Sequence, residues 1–148
     1  MKRFLGAVIC IVLLIGLVGC KVEKEEKLKT IDEITMTVKE GSLTKTSMII
    51  HVKEKDIKRV VYGESFIIEK KVNNKWKEVK TINDNYGFNS MAYYTNYNGV
   101  LEMYQDWSHI YGKLDKGKYR LVKDVFYESD IPITEEDKYY ICVEFEIK

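Results

Sequence analysis

The chain has few of the residues that enzymes most often use for chemistry. Its two histidines, His51 and His109, lie far apart. Neither H-x-H nor H-x-x-x-H spacing occurs, so a zinc site has no ligand pair to start from. The three cysteines stand at 10, 20 and 142, too few and too scattered for a disulfide framework. Glu135, Glu136 and Asp137, with Asp130 nearby, lack the spacing of a calcium loop and read as a solvated turn. A predominance of one charge is also missing: 24 basic residues against 23 acidic ones give a net charge of +1. That excludes the strongly basic face that nucleic acid demands. Beyond residue 30 no window shows a 3.6-residue apolar repeat long enough for a core helix, and there is a single proline. No metal, no cofactor and no catalytic set is expected.

The N-terminal end is more informative. Lys2 and Arg3 precede an uncharged apolar run, residues 4–18, followed by Gly19 and Cys20. A basic start, an apolar middle and small residues before a cut are the parts of a secretion signal. As a helix, residues 4–20 would span roughly 25 Å, short of a bilayer core of about 30 Å. A plain transmembrane anchor is therefore the weaker alternative. Leu17, Val18, Gly19 and Cys20 resemble a bacterial lipobox. The resemblance implies that residues 1–19 are removed, that Cys20 carries diacylglycerol, and that this lipid holds the protein to the extracytoplasmic face of the cell membrane. Residues 20–30 then form the lipidated cysteine and a charged tether, in which "KVEKEEKLK" (21–29) alternates in sign. So short a segment is marginal as an isolated helix and reads as a solvated spacer. Losing Lys2 and Arg3 leaves a net charge of −1. Cys142 is left with no cysteine to pair with, so stability must come from one apolar core in residues 31–148.

In that region the apolar pattern has period two. Ile34, Met36 and Val38 alternate with threonines, and Met48, Ile50 and Val52 alternate with Ile49 and His51. Phe66 and Ile68 begin a further run. Asn73 and Asn74 read as a two-residue hairpin turn before a strand carrying Trp76 and Val79. Leu101 and Met103 alternate with Glu102 and Tyr104, and Tyr119 and Leu121 open a strand that runs to Phe126. The last strand is the cleanest, with Tyr139, Ile141, Val143, Phe145 and Ile147 on one face. Each strand thus has one buried and one wet face. About seven of them in one all-β domain fit a two-sheet sandwich, with an eight-stranded barrel as the alternative.

One stretch, "DWSHIYGKLDKGKYRLVK" (106–123), invites two readings. Residues 112–118 match the first seven places of a phosphate-binding loop, but the eighth is Tyr119 and the loop leads into a strand, not a helix. A structural reading explains more. Leu114, Gly117 and Tyr119 have the spacing of a tyrosine corner, in which the hydroxyl returns to the backbone of the preceding crossover. Trp107 and Tyr111, four residues apart, are placed to stack on the end of the sandwich, with Asp106 capping their turn.

These blocks, together with "SLTKTSMIIHV" (42–52), "YGESFIIEKKVNNKWKEV" (62–79) and "VEFEIK" (143–148), resemble the bacterial Ig-like domain found in Gram-positive lipoproteins and surface proteins. The resemblance covers about 38–148. It implies an immunoglobulin-like β-sandwich with Greek-key connections, in which residues 62–70 form the strand supplying Phe66 and Ile68. It carries no catalytic residues. Residues 88–99, "FNSMAYYTNYNG", are richer in tyrosine than the family pattern.

The wider segment 83–98 sets Tyr86, Phe88, Tyr93, Tyr94 and Tyr97 among Asn83, Asn85, Asn89, Asn96 and Asn98, the composition of adaptable binding loops. Tyr93, Tyr94 and Tyr97 are its candidate ligand-binding residues; the competing expectation is that half the rings are core. His51 and His109 read as surface or packing residues, and Cys142 as an outward-facing thiol whose pKa Glu144 and Glu146 raise. The expected function is that of an anchored accessory or interaction module: a monomeric domain with no catalysis of its own, meeting a surface protein or cell-wall component. A glycan- or ligand-binding lipoprotein using residues 83–98, and an inhibitor of an extracellular enzyme, are the alternatives.

Overall fold

A computed structural model describes residues 29–55, 59–130 and 134–148. The expected leader (1–19), Cys20 and the tether as far as residue 28 lie outside the described residues. The described residues form eight strands: β1 Ile34–Val38, β2 Ser47–Glu54, β3 Val60–Tyr62, β4 Ile67–Val72, β5 Lys75–Glu78, β6 Val100–Asp106, β7 Gly117–Tyr127 and β8 Tyr139–Ile147. Two 3-10 turns, Glu128–Asp130 and Glu135–Asp137, link β7 to β8.

The strands form two antiparallel sheets, an immunoglobulin-like β-sandwich. One sheet has the order β1-β2-β6; in the other, β7 sits at the centre, with β8 on one side and β3 and β4 on the other. Sequence alternation fixes the layering. Met48, Ile50 and Val52 of β2 meet Leu121, Val125, Val143 and Phe145 of the facing sheet in one core, as two inner faces of period-two strands must. Asn73 (φ 51°) and Asn74 (φ 61°) make the β4–β5 hairpin, because a tight turn of the primed type needs positive φ at both central residues.

The eight strands agree with the expected sandwich of about seven; β3 is the one that alternation does not announce, since all three of its residues are buried. Two finer expectations need correction. Residues 62–70 are not one strand. Tyr62 ends β3, which pairs with residues 125–127 of β7, while β4 begins at Ile67 and pairs with residues 119–122. Finally, Lys29 and Thr30 are docked and not part of a spacer: Tyr140 N donates to Lys29 O at 2.7 Å, Thr30 bridges Tyr140 in parallel, and Ile31 is already core.

The break between β3 and β4 has a physical consequence. Residues 63–66 cannot continue the ladder along β7, so their carbonyls need other donors. Lys123, on the inner face of β7 between Leu121 and Val125, is 0% exposed. Its Nζ donates to Ser65 O at 2.9 Å and to Glu64 O at 3.3 Å. On the outer face, Ser65 Oγ donates to Asp124 Oδ1 at 2.6 Å. Adjacent residues of β7 thus secure the gap from both sides.

Candidate functional site

The aromatic stretch before β7 is spent on structure. Trp107 is fully buried and its Nε1 donates to Lys45 O at 2.9 Å. Tyr111 N and Ile110 N both donate to Trp107 O, closing the turn, and Asp106 Oδ1 accepts from Ser108 N at 2.8 Å. Tyr119 Oη donates to Asp115 O at 2.9 Å, and its ring stacks on Phe145, which also stacks on Trp107. Gly117 has φ +154°, a backbone rarely adopted by L side chains. Leu114 is buried, and its N–H donates to Lys45 O. Tyr111 is buried too; its Oη accepts from Ile68 N at 3.4 Å, and burial pushes its phenol pKa up to about 12. The loop at residues 112–116 leads into β7 and not into a helix, so no phosphate cradle forms at a helix start.

The three candidate binding tyrosines do not face the same way. Tyr93 turns inward: it exchanges both backbone hydrogen bonds with Tyr62, and its Oη donates to Glu64 Oε1 at 2.7 Å. That bond is the chief reason the Glu64 carboxyl titrates below its usual range. Tyr94 and Tyr97 remain exposed, at 43% and 88%. With Arg59 and Asn96 they line a groove of about 230 Å³. Arg59 holds φ +54° and pairs with Glu128 at 2.8 Å, and Tyr94 Oη donates to the same carboxylate at 3.4 Å. Of the three candidates, Tyr94 and Tyr97 thus share one exposed groove, while Tyr93 hooks the segment to the sandwich.

A second groove, of about 360 Å³, lies beside the outer edge of β6. Phe66, Phe88 and Met103 form its apolar floor, and Glu64, Glu102 and Asp106 stand around it. Gln105 points inward here; its Nε2 donates to Tyr104 O at 3.1 Å, while its buried Oε1 has no partner. On the outer face, Glu102 Oε2 accepts from Lys39 at 2.9 Å and lies 2.6 Å from His51 Nε2.

Other titratable groups are scattered. Tyr62, fully buried, donates to Glu54 Oε1 at 2.8 Å, which also accepts from Thr95 at 3.1 Å. Burial first, then Glu54, raises the phenol pKa strongly. Burial pushes the Lys123 amine down to about 8. His109 is exposed. Cys142 is exposed on β8 and its thiol pKa is raised. Desolvation by its neighbours is the main cause, with Glu144 and Glu69 adding to it against Arg120. Among the described residues no group of three His, Cys, Asp or Glu side chains is placed to hold a metal ion, and no helix is long and apolar enough to cross a membrane.

Glu54, Gln105 and Lys123 are the residues that sequence reasoning passed over. A signal for each was present: all three occupy the apolar phase of their strands, after Val52, after Met103 and between Leu121 and Val125.

Comparison with known proteins gives one positive finding. The family model described as bacterial Ig-like domain matches residues 30–146. No curated protein and no solved structure matches the chain.

Proposed function

Because the chain belongs to the bacterial Ig-like domain family, we propose that it is a membrane-anchored extracytoplasmic lipoprotein, presenting its sandwich as a protein-interaction module without catalysis of its own. The observation that carries the reading is how the aromatic residues are divided. Trp107, Tyr111 and Tyr119 are buried and hydrogen-bonded within the fold, whereas Tyr94, Tyr97 and Tyr104 present their rings to solvent. Tyrosine on a rigid scaffold supplies contact area at little entropic cost. The lipobox-like residues 17–20 supply the anchor, and residues 21–28 lead from it to the sandwich.

Mass spectrometry of the protein recovered from membranes tests the anchor. The expected species begins at a diacylglyceryl-modified Cys20, and Cys20→Ala releases the protein from the membrane. An unmodified Cys20 with residues 1–19 still attached refutes it. Pull-down from surface extracts tests the module: a specific partner is captured, and no such capture by the intact chain overturns that part.

A second reading rests on the groove of Arg59, Tyr94, Asn96 and Tyr97. Exposed rings beside an amide and a guanidinium suit a glycan, which stacks on one and hydrogen-bonds to the others. Titration with soluble wall glycan fragments, comparing the native chain with Tyr97→Ser, decides it: saturable binding lost in the variant supports the reading, and no binding removes it.

A further inference from the structure

The sheet β1-β2-β6 has three strands where the constant-type immunoglobulin sheet has four. Residues 79–99, between β5 and β6, run as loop, with a single bridge from Tyr93 to Tyr62. Among the described residues no strand pairs with the outer edge of β6. The register shows which peptide groups this leaves outward. Ile49 directs its N–H and C=O away from β6, to Ser42 Oγ and Lys39 N, while Glu54 N reaches Gly99 O on the β6 side. Even-numbered residues of β2 therefore pair with β6. Their partners there are Leu101, Met103 and Gln105, so the alternation of an antiparallel ladder turns Glu102, Tyr104 and Asp106 outward. An unpaired edge of this kind is a template for another strand.

We infer that the outer edge of β6 takes up an extended, lysine- or arginine-containing segment of a partner protein as a fourth strand. The inference deepens the interaction-module reading and rests on it. Three observations specify the guest. Side chains pointing inward from such a strand meet the floor of Phe66, Phe88 and Met103, which selects apolar residues. Side chains pointing outward run beside Glu102 and Asp106, and Glu64 stands in the groove with no basic residue lining it. These carboxylates are held ionised: Tyr93 lowers the pKa of Glu64, Lys39 and His51 that of Glu102, and Ser108 that of Asp106. Glu102 receives Lys39 and His51 at Oε2, leaving Oε1 for a cation. The third observation is Gln105. Its Nε2 caps Tyr104 O, an edge carbonyl, while its Oε1 is buried without a donor. A buried acceptor without a partner is costly. An arriving strand takes over Tyr104 O with its own N–H and frees the amide to accept a bond as well.

The test uses the full chain and a capped seven-residue peptide alternating valine and lysine, matched to the length of β6. Amide exchange is followed by NMR. In the free protein the N–H groups of Glu102, Tyr104 and Asp106 exchange much faster than those of Leu101, Met103 and Gln105. Peptide at ten times its Kd slows the three by about tenfold, and a valine–glutamate peptide does not. Tyr104→Pro abolishes binding by removing an outward N–H, a position where an edge strand tolerates proline, whereas Tyr104→Ala retains it. Glu102→Pro repeats the test should Tyr104→Pro not fold, as judged from Met103 protection. Equal binding of the acidic peptide, no binding of the basic one, or binding indifferent to proline would overturn the proposal. So would edge amides already protected in the free protein, or protection that grows with protein concentration alone, which would make a second copy the occupant. A surface partner still captured after such a result leaves the interaction-module reading intact and places its contact elsewhere, with Tyr94 and Tyr97 first in line.

Discussion

Two tyrosine-containing regions of this sandwich use the same residue type in opposite ways. At the start of β7, Tyr119 and Trp107 give their polar hydrogens to backbone carbonyls, Asp115 O and Lys45 O, and bury their rings on Phe145. In residues 83–98 the hydroxyls reach carboxylates instead, Tyr93 to Glu64 and Tyr94 to Glu128, while Tyr97 extends into solvent. In the first region these two side chains are held by neutral carbonyls. The second is fastened through ionisable groups, since Glu64 O in turn rests on the Lys123 amine. The ring alone does not decide between core and surface; what the hydroxyl finds nearby does.

Four measurements test or sharpen this contrast. The largest effect belongs to Trp107→Ala, expected to cost about 3 to 5 kcal/mol in urea denaturation, and equally at pH 7 and pH 9 because nothing in the clamp titrates there. A variant as stable as the parent would show that the clamp is not a fastening.

Next comes the pH dependence from Lys123. Its amine is pushed down to about 8 in the folded state from an ordinary value of 10.5. The unfolded chain therefore keeps its proton longer, and stability rises with pH between about 8 and 10.5, by on the order of 3 kcal/mol. Above 10, Tyr62 and Tyr111 act in the opposite sense, since their raised pKa values let the unfolded state lose protons first. Urea melts from pH 7 to 10 should show the rise, and Lys123→Met should remove it. A flat profile in the parent sinks the assignment.

Tyr119→Phe comes third. It keeps the ring and leaves Asp115 O without its donor, for a loss of about 1 to 2 kcal/mol. A double-mutant cycle with Trp107→Phe then measures how far the two donor bonds, to Asp115 O and Lys45 O, act together. The smallest effect is Tyr97→Ala, within about 0.5 kcal/mol of the parent. A larger loss would mean that the exposed ring packs against something, and the two regions would no longer differ in kind.

Much of the architecture could be read from the chain because period-two alternation is unambiguous where one face is wet. β1, β2, β6, β7 and β8 all show it, and the Asn73, Asn74 turn marks the β4–β5 hairpin. β3 was illegible for the converse reason: Val60, Val61 and Tyr62 are buried on both sides, so no alternation exists to detect. The placement of Trp107 and Tyr119 was readable from spacing, because both act within a few residues of their own backbone or at one end of the sandwich. Tyr93 was not, since its inward turn depends on Glu64 and Tyr62, some thirty positions away. Lys123, Glu54 and Gln105 illustrate a third case. Their phase along the strand assigned them to the interior, but their charge or polarity suggested surface. What decided for burial was a set of distant groups needing partners: the carbonyls at 64 and 65 for Lys123, and the hydroxyls of Tyr62 and Thr95 for Glu54.

The parallel contact of Thr30 with Tyr140 also governs how the sandwich responds to force. Tension entering ahead of Lys29, with the far end of β8 held, would load that single bridge and its Tyr140 N to Lys29 O bond in shear. Once it slips, the five-residue ladder between β1 and β2 is the next element to resist. Under such a load the N-terminal edge is expected to yield in two steps, a one-residue bridge before a five-residue ladder.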